Sequence, residues 1–439
     1  MIRARSFRTI EQALALAVVA GAAWSVGHLL VRGWLPQPFY PDPADYWMDW
    51  FHTAWWSRHD GAYDRWRTLY PPVSFMLLRA LSLPRCYLDG NDAAVRGCDW
   101  VGTIALHGWY VLDVLLIAAT FTVQDRRTAV PRAVALTLGL PMLNALDRGN
   151  LILVCLACFV LAHGPLLRGV RSRSLALGLT INLKVYLIAT AFAVLPHGRW
   201  RVFGGALLAT GGVYLLSWAC WGAGDPVALA GNLIGWSVHL REVTSLWDIW
   251  YSTAYGPVVA ALNGSLVPLG PGWTRGLAAV IPPVVHGVQV LILVAAVVAA
   301  RQPATVSPQR LLNLATLIAL VTSDGGGYAQ VLTIFLTFSE RPRGIGVRVA
   351  LIVGYLLSVP VDLGLVHIVT RAAGDGVHAG PIVADYWLTL GQLLRPAGVL
   401  VLASALSCAT IHDVWRADRA ASPGRRAKNR GVQAVTKPD

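Results

Sequence analysis

The chain has 439 residues, of which 55% are hydrophobic and only 13% are charged, and its mean hydropathy is +0.54. Soluble domains carry about 25% charged residues, so the composition excludes a water-soluble globule, a disordered chain and a small disulfide scaffold. The net charge of +13 comes mainly from arginines clustered between apolar runs, without a nucleic-acid-binding motif. We therefore expect a lipid bilayer as partner and no nucleic acid.

The apolar runs predict an all-α fold, a polytopic transmembrane helical bundle with about 10–12 helical passes. A run of about 20 apolar residues suffices to cross a hydrocarbon core, and some runs here are shorter. The predicted spans, in chain order, are 12–30, 100–123, 133–146, 151–166, 202–221, 277–300, 345–366 and 387–411.

The arginine clusters predict the orientation of the chain. Arginines precede the first span, which we interpret as uncleaved, so the N-terminus is expected in the cytoplasm. Residues 32–99 then form a first outside loop with interfacial helices, and residues 416–439 form a basic, disordered cytoplasmic tail. Residues 1–415 are expected to form one integral membrane domain. These inferences predict a multi-pass protein of the cell inner membrane with both termini in the cytoplasm and the active site facing the periplasm.

Two segments predict helices that break within the membrane. Residues 174–198 and 311–340 each lie between two arginine clusters and are too short for two full crossings. Broken helices at membrane depth occur where they line protein or a wet cavity. Lys184 lies in the first segment, where an intramembrane cation is a candidate ligand for an anionic headgroup. The alternative is a snorkelling or carboxylate-paired lysine.

The first outside loop contains the densest group of acidic and aromatic residues. Asp45 and Asp49 are four residues apart and would share one face of a helix. A carboxylate at the membrane surface can act as general base on a hydroxyl group. The alternative is that these aspartates cap helix starts while the neighbouring tryptophans anchor the loop at the interface.

A second polar segment joins two apolar runs on the predicted outer face. It contains Asp147, Arg148 and Asn150. Charged groups at the mouth of a bundle are costly unless they are paired or used. A structural Asp147–Arg148 pair that caps the next helix is the alternative to a functional site.

The cysteines predict one disulfide. Cys86 and Cys98 lie in the first outside loop, twelve residues apart, where an oxidising compartment would favour their pairing. Cys155 and Cys158 lie inside an apolar run without a second pair of metal ligands, so we interpret them as core residues.

Four stretches of the chain resemble glycosyltransferase family 87, membrane enzymes of the GT-C type that use polyprenyl-phosphate sugars. The stretches are Asp45–Trp56 with Gly61–Tyr63 and Tyr70–Pro72, then Arg148–Asn150, then Leu177–Arg201 around Lys184, and finally Ser323–Tyr328. Together they cover about residues 40–340. Two features differ from the family pattern, since the usual glutamine of the 147–150 turn and the proline commonly found after the lysine are absent.

The resemblance implies an inverting transfer of a mannose- or arabinofuranose-like sugar from a polyprenyl-phosphate donor to a glycan or glycolipid acceptor, with no metal and no cofactor. It implies an acidic general base in the first outside loop, Asp49 in first place and Asp45 in second. Lys184, Arg148 and Asn150 would bind the donor phosphate. The residues expected to contact the substrates are Trp50, His52, Tyr70, His239 and Tyr328.

Two other functions remain open at this level. Broken helices with ionisable residues also mark lipid or sugar transporters and flippases, although a long acidic and aromatic outside loop is unusual in them. A non-catalytic scaffold of a cell-envelope complex is the second alternative. It predicts that removing Asp45, Asp49 or Lys184 changes no glycolipid.

Overall fold

The structure is a computed structural model. It describes residues 2–40, 42–88, 92–238, 249, 251–252, 254–323, 325–375 and 381–433.

Helices form most of the described chain, and two strands form one hairpin near its end. The first nine helices are α1 (Ile2–Arg32), α2 (Met48–Trp56), α3 (Pro72–Ala80), α4 (Asp92–Cys98), α5 (Trp100–Gln124), α6 (Ala129–Thr137), α7 (Leu140–Arg148), α8 (Ile152–His163) and α9 (Val170–Leu183). The others are α10 (Ile188–Phe192), α11 (Trp200–Trp221), α12 (Pro226–Val238), α13 (Gly256–Asn263), α14 (Pro271–Arg301), α15 (Pro308–Thr322), α16 (Gln330–Phe338), α17 (Gly344–Ser358) and α18 (Leu390–Gln433).

Six helical segments of the described chain are long and apolar enough to cross a membrane. In α1, α5, α11 and α14, only 11–28% of the most apolar window is buried. Apolar side chains exposed along whole helices need a non-aqueous surrounding, so these helices form the lipid-facing shell of a membrane protein. The number of passes stays a prediction, because four further apolar helices are shorter.

The core lies between shorter helices inside this shell. All residues of α16 are buried, and so are most residues of α8. The interior also contains ion pairs that hold helices together, such as Arg132 of α6 with Glu11 of α1 and Arg310 of α15 with Glu340. Buried charges are tolerated when they are paired in this way.

Both predicted helix breaks are present. Helix α9 ends at Leu183, Lys184 adopts an extended conformation, and a short 3₁₀ turn precedes α10. Helix α15 ends at Thr322, and the chain becomes helical again at Gly327. Residues 174–198 and 311–340 are therefore pairs of short helices, as the sequence predicts.

The described chain is mostly helical, as the all-α prediction expects, and one short hairpin is the part that the prediction did not include. Helix α17 ends at Ser358, and Gly364–Asp375 (β1) pairs antiparallel with Pro381–Thr389 (β2) where the sequence predicts the end of one span and the start of the next. Pro360 cannot donate a helical hydrogen bond and stops the helix, and the β-branched residues that follow favour a strand. Gln37 exchanges two hydrogen bonds with the backbone of Trp387 and so attaches the hairpin to the first outside loop.

The span predicted at 133–146 lies within Ala129–Arg148, one of the six segments that are long and apolar enough to cross a membrane. The backbone of this segment is divided into α6 and α7, because Pro141 in the first turn of α7 favours a new helix start after Gly139. Helix α18 extends from Leu390 to Gln433 and so continues into the predicted basic tail, while the disorder of this tail stays a prediction. Residues 434–439 lie outside the described residues.

Candidate functional site

The candidate site forms where the turn between α7 and α8 meets the start of α2. Gly149 has a φ of +65°, and a Cβ at this position would lie 2.8 Å from the Cα and carbonyl oxygen of Trp47. The amide of Trp47, itself in the left-handed region, donates a 2.7 Å hydrogen bond to the carbonyl oxygen of Asp147. Only glycine permits this backbone contact, so the Arg148-Gly-Asn150 sequence brings two distant segments together.

This backbone contact brings the carboxylates of Asp45 and Asp49 within hydrogen-bonding distance of the side chains of Arg148 and Asn150. Arg148 Nη1 donates to Asp45 Oδ2, and Nη2 lies 3.1 Å from Asp49 Oδ1. The other oxygen of Asp49 accepts a 2.7 Å hydrogen bond from Asn150 Nδ2. Both oxygens of Asp49 are therefore occupied, whereas Asp45 accepts through Oδ2 alone within the described residues. Arg148 pairs with these two aspartates rather than with its neighbour Asp147.

Burial and the charge of Arg148 shift the pKa of Asp45 in opposite directions. The side chain is 30% exposed. Burial raises the pKa of Asp45 above its ordinary value of 3.8, and the positive charge of Arg148 opposes the rise. Because burial is the larger cause, Asp45 is a stronger base than an aspartate in water.

Lys184 lies next to the same group of side chains. Its ammonium nitrogen is 4.9 Å from the ring centre of Tyr70 and 5.5 Å from that of Tyr328. The hydroxyl of Tyr70 is 3.4 Å from Asn150 Nδ2, which also donates to Asp49. Lys184 makes no ion pair within the described part of the chain, so the carboxylate-paired alternative does not hold there. Cation–π contacts hold the ammonium group in place and leave its N–H donors available.

Three helix ends meet at this site. Arg148 is the last residue of α7, and Lys184 follows the last residue of α9. Cations are favoured at helix C-termini. Asn150 accepts a 2.9 Å hydrogen bond from the amide of Ile152 and so caps the start of α8. The site is therefore built on the ends of rigid helices of the core.

The first outside loop is held in place by α4. Arg96 donates to the carbonyl oxygens of Pro43, Ala44 and Tyr46, on both sides of Asp45. The predicted disulfide is present, since Cys98 at the end of α4 is bonded to Cys86. The disulfide and Arg96 together fix the 3₁₀ turn that contains Asp45.

The other residues that were expected to contact substrate lie in different surroundings, and their roles stay predictions. Tyr70 and Tyr328 lie at the site. His52 is half-buried on α2, and its ring lies nearly parallel to that of Trp56, with ring centres 6.5 Å apart. Trp50 is fully buried in the main core. His239 lies outside the described residues.

Sequence reasoning missed two residues that build the site. Gly149 was visible only as part of a motif, and its positive φ cannot be read from one sequence. Arg96 acts through three backbone carbonyls, a contact that has no sequence signature. No group of three or more histidine, cysteine, aspartate or glutamate side chains in the described chain could hold a metal ion.

Comparisons with protein-family models, with curated proteins and with solved structures find no match for this chain. The likeness to glycosyltransferase family 87 therefore stays a resemblance carried by the residues named above.

Proposed function

We propose that the protein is a membrane glycosyltransferase that moves a sugar from a polyprenyl-phosphate donor to a glycan or glycolipid acceptor on the periplasmic face of the inner membrane. The observation that carries the proposal is the meeting, around Tyr70 and Asn150, of two carboxylates and an ammonium group that has no carboxylate partner among the described residues. This pair of opposite charges suits a reaction in which one oxygen loses a proton while another gains negative charge.

Asp45 is the proposed general base. It accepts the proton of the acceptor hydroxyl, whose oxygen attacks the anomeric carbon of the donor. The bond between that carbon and the phosphate oxygen breaks, and the lipid phosphate leaves with the electron pair. The configuration at the anomeric carbon is thereby inverted. Asp45 suits this role because one of its oxygens accepts no hydrogen bond within the described residues and its pKa is raised. This reverses the order of Asp49 and Asp45 that the sequence favoured.

Asp49 and Arg148 are the proposed positioning residues. Arg148 donates to both carboxylates, so a phosphate would have to compete with two aspartates for it. We therefore assign Arg148 to holding Asp45 in place, together with Asn150, which fixes Asp49. In the sequence analysis, the family resemblance had instead assigned Arg148 and Asn150 to the donor phosphate.

Lys184 is the proposed ligand of the donor phosphate. Its ammonium group lies over the faces of Tyr70 and Tyr328, and it lies where α9 breaks at predicted membrane depth. A fixed cation there stabilises the charge that develops on the departing phosphate. The tyrosine rings keep the ammonium group in position without neutralising it.

A transfer assay with the purified protein and a panel of polyprenyl-phosphate sugars tests the proposal. The wild type is expected to transfer one of them, and Asp45→Asn is expected to abolish the transfer. Movement of the lipid-linked sugar across the membrane of reconstituted vesicles, without transfer of the sugar to an acceptor, would instead favour a transporter or flippase. Activity that strictly requires Mg²⁺ or Mn²⁺ would contradict the metal-free mechanism.

A further inference from the structure

A cavity with several polar lining residues lies at the opposite end of the helices that form the candidate site. It has a volume of about 230 Å³, and its lining includes His163, Arg173, His197, Arg199 and Gln309. Arg173 and Lys184 are both carried by the α9 segment, and their eleven-residue separation corresponds to about 16 Å along the helix axis. Helix α8 likewise begins beside Asn150 and ends at His163. The cavity is therefore separate from the Asp45 site.

The described lining of the cavity carries positive charge without a compensating carboxylate. Arg173 and Arg199 both line it, and no aspartate or glutamate among the described residues does. Arg173 donates to backbone carbonyl oxygens, at 2.6 Å to Leu167 and 2.9 Å to Gly164. The side chain of Arg199 is exposed and makes no hydrogen bond or ion pair within the described residues. Two guanidinium groups without a carboxylate partner favour binding of an anion.

Helix ends add to this positive potential. Helices α9, α11 and α15 begin at Val170, Trp200 and Pro308, and residues of their first turns line the cavity. The N-termini of helices are positive and present free N–H groups, which is the usual arrangement of a phosphate site. Helix α8 ends at the same cavity, but the carbonyl oxygen of Gly164 after it already accepts from Arg173.

Two buried ring nitrogens of the lining lack partners. His163 Nε2 and His197 Nδ1 are buried and make no hydrogen bond within the described part of the chain. The opposite nitrogen of His197 is 3.1 Å from the carbonyl oxygen of Val306, which fixes the ring. An unpartnered buried polar atom is costly. Because the carbonyl oxygen of Val306 can only accept, Nε2 of His197 is the donor and Nδ1 of the neutral ring is an acceptor, so Nδ1 is satisfied by a ligand hydroxyl such as that of a singly protonated phosphate.

We propose that this cavity binds a phosphate group at the end of the bundle that the arginine clusters predict to be cytoplasmic. Guanidinium groups and helix N-termini match the oxygens and the negative charge of a phosphate. The phosphate belongs to a phospholipid headgroup or to a soluble phosphate compound, and these share the chemistry that the cavity recognises. The proposal does not depend on transferase activity.

Thermal stability of the full-length protein tests both sources of phosphate. One arm adds inorganic phosphate against chloride at equal ionic strength. The other compares nanodiscs of phosphatidylcholine alone with nanodiscs that also contain phosphatidic acid. We expect at least one arm to raise the melting temperature, and the arm that does so identifies the source. No stabilisation in either arm overturns the proposal.

Matched variants separate a site from diffuse attraction. Arg199→Gln is expected to lower the affinity for the stabilising ligand by about tenfold. Arg201→Gln removes the same charge two residues away, at an exposed position outside the cavity lining, and should keep the wild-type affinity. Arg199→Glu, which reverses the charge at an exposed position, should abolish binding. Equal losses in Arg199→Gln and Arg201→Gln would overturn the proposal.

Discussion

The two basic residues of the candidate site are held in opposite ways. Arg148, at the end of α7, donates to two carboxylates, whereas Lys184, at the end of α9, contacts two aromatic faces and no carboxylate within the described residues. A cation that already holds two anions positions them, and a cation kept on aromatic faces remains available to a third. The comparison assigns Arg148 to the base and Lys184 to the leaving group.

Removing the base tests the carboxylate side of this comparison and should give the largest effect. Asp45→Asn keeps the shape of the side chain but cannot accept the proton, so the transfer rate should fall by about 10²- to 10⁴-fold. Asp49→Asn, which only disturbs positioning, should lose less. Initial rates of transfer for both variants measure the difference. If Asp49→Asn loses more than Asp45→Asn, the two roles are exchanged, and if neither loses activity there is no carboxylate base.

Pushing the turn between α7 and α8 away from the start of α2, without changing a charged group, should give the next largest effect. Gly149→Ala places a Cβ 2.8 Å from the backbone of Trp47 at a φ of +65°, and the resulting shift of Asp45 and Asp49 should lower the transfer rate by about 10²-fold. Gly222→Ala is the matched control, since its φ is +79° but nothing lies within 4 Å of the added Cβ. A control that loses as much activity as Gly149→Ala would show that backbone strain alone explains the loss.

Breaking the Cys86–Cys98 disulfide should make the turn that contains Asp45 more mobile and lower the stability of the protein. The Cys86→Ser/Cys98→Ser double variant opens a short loop, and chain entropy alone assigns about 3 kcal/mol to such a cross-link. The free energy of unfolding and the transfer rate should both fall, because α4 carries Arg96. Cys220→Ser, at an exposed free cysteine, should change neither. A stable and fully active double variant would show that α4 does not need the disulfide.

The pH profile should give the smallest and most specific effect. The base must be ionised, and burial raises the pKa of Asp45, so activity should fall on acidification with a midpoint above 3.8. Arg148 lowers this pKa, so Arg148→Gln should move the midpoint to higher pH, and Arg148→Lys should restore part of the shift. The rate measured against pH for the three proteins gives the midpoints. An unchanged midpoint in Arg148→Gln would remove Arg148 from its proposed role.

The sequence predicts the components of the site better than their roles. Lys184 stands out because it is a lysine inside an apolar run, and both helix breaks follow from segments too short for two crossings. The partners of Arg148 depend on side-chain distances that a sequence does not contain. The hairpin at 364–389 was missed because its apolar residues continue the hydrophobic pattern of α17, and short apolar runs do not distinguish strand from helix.

Binding of a polyprenyl phosphate without a sugar tests the central claim most directly, because it isolates the leaving group from the base. The affinity should fall by about tenfold or more in Lys184→Gln and stay near the wild-type value in Asp45→Asn, which is inactive for another reason. Equal affinity of Lys184→Gln and the wild type would contradict the assignment of Lys184 to the phosphate.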